Sequence, residues 1–152
     1  MADNLSRAAR SYCMSRVRSR DTGPELLLRS GLHRLGFRFR THASGLSGRP
    51  DIVLTRFRIA VFVDGDFWHG YRFPQWCGSL APFWHKKIST NRLRDRRNFQ
   101  RLRRQGWTVV RIWEHEIETN LTSCVTRIAN LATRASLPLR SRTAGRSLLR
   151  VA

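Results

Sequence analysis

Asp51, Asp64, Asp66 and His69 bring three carboxylates and an imidazole into one short stretch, GRPDIVLTRFRIAVFVDGDFWH at residues 48–69. Carboxylate oxygens suit a hard divalent cation that keeps some of its waters. A bound cation of that kind acidifies water and neutralises a phosphate, and an imidazole moves protons near neutral pH. Together these groups suit hydrolysis of a phosphodiester, which needs an activated water, a screened phosphate and a protonated leaving oxygen.

Positioning them requires two strands that end near one another. Gly48 and Pro50 punctuate the start of the stretch, and Asp51 stands at the mouth of the apolar run Ile52–Leu54. A second run, 59–63, is rich in β-branched residues and short enough for a buried strand. Arg56, Phe57 and Arg58 form the turn between them, giving a hairpin or an adjacent strand pair. The second strand runs into Asp64-Gly65-Asp66-Phe67-Trp68-His69, so that Asp51, Asp64, Asp66 and His69 gather at one sheet edge. The residues alone leave Asp51 and Asp64 as ligands or as turn residues.

The remaining elements follow from periodicity and punctuation. Thr22 and Glu25 have capping-box spacing at the head of a helix that buries Leu26, Leu27, Leu28, Leu32 and Leu35 and stops at Gly36. Phe37 to Arg40 alternates as an edge or first strand with its Phe residues inward. The loop 41–48 carries His42 as a surface histidine. Residues 82–105 read as one long helix with Ile88, Asp95, Phe99 and Leu102 on a single stripe, Asp95 being paired there with an arginine. Its other faces hold Lys86, Lys87, Arg92, Arg94, Arg96, Arg97, Arg101, Arg103 and Arg104, too lopsided for self-compensation, which points to phosphate contact. A strand at 107–113 and a helix at about 122–134 complete a domain of residues 1–134. Its first twenty residues form a basic segment in which Arg7, Arg10, Arg16, Arg18 and Arg20 either follow a phosphate backbone or face solvent. Residues 135–152 form a basic tail.

A net charge of +19 with 41% apolar residues and five Trp describes a folded cationic domain rather than a disordered basic arm. Its natural partner is a polyanion. No apolar run spans a bilayer and no secretory h-region is evident, which argues against a membrane partner. Cys13, Cys77 and Cys124 are scattered and odd in number, consistent with a reducing cytoplasm.

A Pro-Asp at a strand start followed by a hydrophobic strand resembles the PD-(D/E)XK nuclease pattern, although its final Lys is missing. DTGPE (21–25), GRPDIV (48–53), VFVDGDFWHG (61–70), FWHKKISTNRLRDRRN (83–98) and GWTVVRIWE (106–114) resemble the Vsr family, the very-short-patch repair endonucleases, in unbroken order over roughly residues 5 to 118. The resemblance implies a three-layer, restriction-endonuclease-like α/β fold with a central mixed sheet between helices. It also implies a monomeric, Mg²⁺-dependent enzyme, with one or two ions, that nicks duplex DNA 5′ to the thymine of a T:G mismatch. Such an enzyme acts in the cytoplasm at the nucleoid, alongside mismatch-repair proteins. Asp51 and the Val63 carbonyl would hold the metal, His69 and Asp64 would share proton handling, and Glu25 would position water. Glu25 can serve as cap and as catalytic group at once. The best-known members carry His where this chain has Asp64, and a carboxylate cannot become a cationic donor. Aromatic residues at Phe67, Trp68 and Trp84 would wedge into the base stack, while Lys86, Lys87, Arg92, Arg94, Arg96 and Arg97 follow the DNA backbone. Many members bind a structural zinc, and Asp66, Cys77 and His115 are its only candidate ligands here. Three ligands fall short of a closed site, so packing of Tyr71, Phe73, Pro74 and Trp76 is expected instead. The rival readings are a restriction-like or single-strand-processing nuclease, and a basic DNA-binding protein without catalysis.

Overall fold

A computed structural model describes residues 6–16 and 20–137. In chain order the elements are α1 (Arg7–Arg16), α2 (Gly23–Arg34), β1 (Arg40–Thr41), β2 (Ile52–Leu54), a 3₁₀ turn (Thr55–Phe57) and β3 (Ile59–Asp64). They are followed by α3 (Phe73–Trp76), a second 3₁₀ turn (Cys77–Ser79), α4 (Pro82–Arg104), β4 (Thr108–Trp113) and α5 (Glu114–Ser136). The sheet has the order β1-β2-β3-β4, antiparallel except for the parallel pair β3–β4.

Alternation along the strands builds the layers. Ile59 and Val61 of β3, with Val110 and Ile112 of β4, join Leu28 and Leu32 of α2 and Val125 and Ile128 of α5 in one buried cluster. Ala60 and Phe62 on the opposite face of β3 pack with Phe99 and Leu102 of α4, and Val109 and Trp107 close that side. Successive strand side chains point to opposite faces, so one period-2 pattern serves both layers. This is the mixed sheet between helices that the sequence leads one to expect.

Two helix ends are set by the same device. Gly36, at φ +82°, lets its N–H reach His33 O and that of Phe37 reach Leu32 O. Gly106, at φ +79°, repeats the arrangement with Arg103 O and with Trp107 N–H to Leu102 O. Both are Schellman endings, which satisfy carbonyls the helix leaves over.

Several expectations need correction. Leu28 and Leu32 are buried, but Leu26, Leu27 and Leu35 are exposed. The stripe that meets the sheet is 25, 28 and 32, and Leu35 is already the residue that ends the helix. The first strand starts only at Arg40, with Phe37 and Phe39 half-buried against the core before it. The last helix begins at Glu114, directly off β4, because Glu116 Oε2 accepts the N–H of Trp113 and caps the first turn. Its backbone breaks at Asn120, whose Oδ1 caps Ser123 N–H, so the apolar segment from about residue 122 is its second half. The basic stripe at 3–20 falls largely outside the described side chains, Arg20 being exposed, and the tail lies outside them from residue 138.

Gly31 sets the approach of α2 to α5. A Cβ there would lie 2.6 Å from Val125 Cγ2. Gly31→Ala should therefore lower stability by about 1–3 kcal/mol through overpacking, although alanine favours a helix by about 1 kcal/mol. Adding Val125→Ala removes the clashing methyl, so urea unfolding should find the double variant more stable than Gly31→Ala alone.

Candidate active site

The strand ends and the N-terminus of α2 surround a cleft of roughly 760 Å³, lined by Glu25, Asp51, Asp64, Glu114, His69 and Asp95 among others. Pro50 is fully buried, and Asp51 continues the β2–β3 ladder through its N–H to Val61 O at 3.0 Å. The Asp51 side chain then takes over as acceptor: Val63 N–H donates to Oδ2 at 2.8 Å. Oδ1 accepts no hydrogen bond among the described residues. Burial pushes the Asp51 carboxyl up to about 6; the Val63 N–H opposes this, while Glu25 and Asp64 add to it. Several carboxylates facing one cleft with this cost of charging are a donor set that fits a hard divalent cation.

His69 sits in the loop after β3. Its Nδ1 lies 2.7 Å from Asp95 Oδ2 on α4 and 3.3 Å from Asp64 Oδ1. Burial alone would lower the imidazole pKa, but the Asp95 bond and the two carboxylate charges outweigh it and raise it. Burial would raise Asp95, yet the His69 bond and the charges of His69, Arg94 and Arg111 hold it below the usual range. Gly70 lets the loop come this close: at φ +69°, a Cβ there would meet Arg92 Cδ at 2.8 Å and Ile88 Cγ2 at 3.0 Å. Asp64 is buried, pushed up by burial and pulled back by His69 and Arg111. The Arg111 Nε donates to Asp64 Oδ2.

Glu25 belongs to a second group. Its Oε2 accepts from Asp21 N–H at 3.1 Å and from Arg29 at 2.7 Å, while Oε1 accepts from the Thr22 hydroxyl at 3.0 Å. The capping box is thus altered: Glu25 reaches back to the chain, but Thr22 bonds the carboxylate instead of a helix N–H. His42, expected on the surface, joins this group at 3.1 Å from Arg29 and 3.3 Å from Asp21.

Phe67, Trp68 and Trp84 are half-buried and in mutual contact, with centroids 5.0 to 5.8 Å apart. Lys87 lies 5.8 Å from both the Trp68 and the Trp84 ring, and Asn91 donates to Trp68 O at 3.1 Å. Arg92, Arg94, Arg96 and Arg97 are exposed along α4, as is Lys86. Asp66 and His115 do meet, at 2.7 Å, under the Tyr71 ring, which lies 4.4 Å from that of His115. Cys77 does not join them; its thiol faces Pro74 O at 3.8 Å. An imidazole and a carboxylate bonded to each other do not make a closed zinc site. Trp76 and Tyr71 brace the loop instead, through Trp76 Nε1 to Tyr71 O at 2.6 Å.

Sequence reasoning missed Arg111, Arg29 and Glu114, whose Oε1 accepts from Asp66 N–H at 2.8 Å. Arg111 carried a signal: a charge inside VVRIW, in phase with the strand face turned to α4.

Acidic groups at the ends of paired strands, with a histidine braced from a flanking helix, stand on a mixed sheet between helices, which is a restriction-endonuclease-like fold. A homing endonuclease catalytic domain, I-Bth0305I, shares that fold, with a TM-score of 0.55 over 77% of this chain and 100% of that domain at 16% identity. The sequence is 42% identical over 133 residues to the type II nicking enzyme V.XorIIP of Xanthomonas oryzae, covering 86% of this chain and 97% of the relative. It is 39% identical over 119 residues to the DNA mismatch endonuclease Vsr of Escherichia coli, covering 75% and 74%. Residues 2–75 match the family model DNA mismatch endonuclease Vsr. The chain belongs to the Vsr family and is a DNA endonuclease of the nicking type.

The burial of Asp51 makes stability depend on pH. Protonated Asp51 is favoured in the fold, so its stabilisation is present below pH 3.8 and is lost as pH rises through about 6. Above that, the metal-free protein bears about 3 kcal/mol of strain at this group. Asp51→Asn should raise the melting temperature in EDTA at pH 8, with no gain at pH 3.5. Added Mg²⁺ should stabilise the wild type and not the variant.

Proposed function

We propose that this chain is a Mg²⁺-dependent nickase that hydrolyses one strand of duplex DNA 5′ to the thymine of a T:G mismatch. The observation that supports this best is the adjoining of three features. The cleft with Asp51 and the His69–Asp95 pair borders the aromatic cluster of Phe67, Trp68 and Trp84, and the arginine face of α4 runs alongside.

Asp51 and the Val63 carbonyl would hold Mg²⁺, which when bound supplies charge neutralisation and acidifies water. His69, its Nδ1 held by Asp95, presents Nε2 to take the proton of the attacking water. Glu25 stands across the cleft, its carboxylate fixed by Arg29 and Thr22, to orient that water. The aromatic groups enter the stack where a mismatched step costs less to open, and insertion recovers stacking while bending the duplex. Lys86, Lys87 and the exposed arginines of α4 neutralise backbone phosphates and set the register without reading bases.

A labelled duplex with T:G or T:A at one position, with Mg²⁺ or EDTA, tests the reading. Nicking should be confined to T:G, vanish in EDTA, and fall by at least about 10²-fold in Asp51→Ala, which loses the cation's contribution. Equal cutting of T:A would discard mismatch selectivity and keep the nuclease, in line with the relatives named only as nicking enzymes. Tight binding without cutting would overturn catalysis.

The pH profile tests the role of His69. A base must be neutral, so activity should climb as pH rises through its raised pKa. Asp95→Asn removes the bond that raises it most, and the rising limb should move to lower pH.

A further inference from the structure

Asp64 and Arg111 meet in a layer that is otherwise apolar. On β3 the side chains turned to α4 run Ala60, Phe62, Asp64; on β4 they run Val109, Arg111, Trp113; on α4 the stripe runs Leu102, Phe99, Asp95. The three stripes become charged together, one step beyond Phe62, Val109 and Phe99. Asp64 Oδ2 accepts from Arg111 Nε, and Oδ1 lies 3.3 Å from His69 Nδ1. The guanidinium lies over the Trp113 ring at 4.1 Å and the Phe99 ring at 5.5 Å, with one nitrogen 3.7 Å from Asp95 Oδ2. That nitrogen is buried and has no hydrogen-bond partner.

We infer that Arg111 is a positioning residue for His69: it neutralises Asp64, removes that carboxylate from the set that can hold a cation, and fixes the imidazole through Asp64 and Asp95. The inference rests on the nuclease reading of the Asp51–His69 centre. An arginine keeps its charge at any working pH, so a divalent ion on Asp64 would sit against a permanent cation. Asp51 differs, because among the described residues no side chain makes an ion pair with its carboxylate, and its one hydrogen bond comes from the Val63 N–H. The planar fork is also specific. A lysine ammonium, a compact point charge, does not lie flat between Trp113 and Phe99 while reaching Asp64.

The test compares Asp64→Asn, Arg111→Met, Arg111→Lys and the double variant Asp64→Asn/Arg111→Met with the wild type. Arg111→Met leaves the buried Asp64 without its arginine and with only His69 opposite, so the imidazole is drawn from Asp95 toward a second uncompensated carboxylate. Single-turnover nicking of a T:G duplex should fall by roughly 10²-fold, with DNA affinity within about twofold. The double variant carries no orphaned charge and should regain at least about tenfold over Arg111→Met. Arg111→Lys should not restore the rate. Calorimetric titration with Mn²⁺ should give Asp64→Asn the wild-type affinity, while Asp51→Asn weakens it at least about tenfold. Urea unfolding should find Arg111→Met less stable than the double variant. A wild-type rate in Arg111→Met, additive losses, or Mn²⁺ affinity lost in Asp64→Asn would each overturn the inference. If Arg111→Met fails to fold, the double variant against Asp64→Asn decides: a similar rate supports the coupling, and a further large loss overturns it. If the wild type does not nick DNA, the nuclease reading fails by itself, and the unfolding and Mn²⁺ arms still judge the Asp64–Arg111 pair.

Discussion

Six register pairs, from Ile59–Thr108 to Asp64–Trp113, hold β3 parallel to β4, and the site depends on that pairing. Parallel neighbours finish at the same edge, so the last residues of both strands open onto one place. On the other side, β2 runs antiparallel to β3 and therefore starts where β3 ends, which brings Asp51 to the same edge from an earlier part of the chain. Slipping the β3–β4 register by one residue would turn Arg111 to the face of α2 and α5 and separate it from Asp64. Val110 and Ile112, buried in the layer shared with α2 and α5, make such a slip costly, because each would leave that layer for the opposite one. The core fixes the register, and the register fixes the chemistry.

Electrostatic cost is arranged unevenly across this edge. Asp95 is matched by His69, Arg94 and Arg111, which hold it below the usual carboxylate range, and Glu25 is paired with Arg29. Asp51 has a backbone N–H and, more weakly, His42 against burial and two neighbouring acids. A cation is worth most where the protein has left negative charge uncompensated. On the proposed metal-dependent reading, the contrast between Asp51 and the acids around it would direct an ion to Asp51.

The sequence made the sheet legible because its strands are short, apolar and bounded by Gly, Pro or charge. The long helix was legible too, since one stripe carried Ile88, Phe99 and Leu102 while every other face carried arginine or lysine. Asp95 stood out as an acid on an apolar stripe, and the expected arginine partner is present, but its shortest contact is to His69, 26 residues away. His42 was misjudged because only its left-handed backbone and the fold bring it to Asp21 and Glu25. Leu26 and Leu27 looked like core because hydrophobicity does not reveal which stripe of a helix will find a neighbour. The start of α5 was hidden for a different reason. Trp113 is an unusual residue at a helix start, and the polar run Glu114-His115-Glu116 resembles a loop until Glu116 is seen to cap it.

α4 is a single rod of 23 residues, about 34 Å long at the usual rise. Trp84 lies near its first turn, Asn91 grips the Trp68 carbonyl at mid-length, and Asp95 seats His69 about 16 Å from Trp84. An uninterrupted helix bends little over such a span. The aromatic edge and the seat of the imidazole therefore share one lever: a tilt that lifts Trp84 displaces Asp95 as well. Shape at one end of the rod and alignment at the other are geared together by the backbone itself, with no loop or hinge between them to absorb an error.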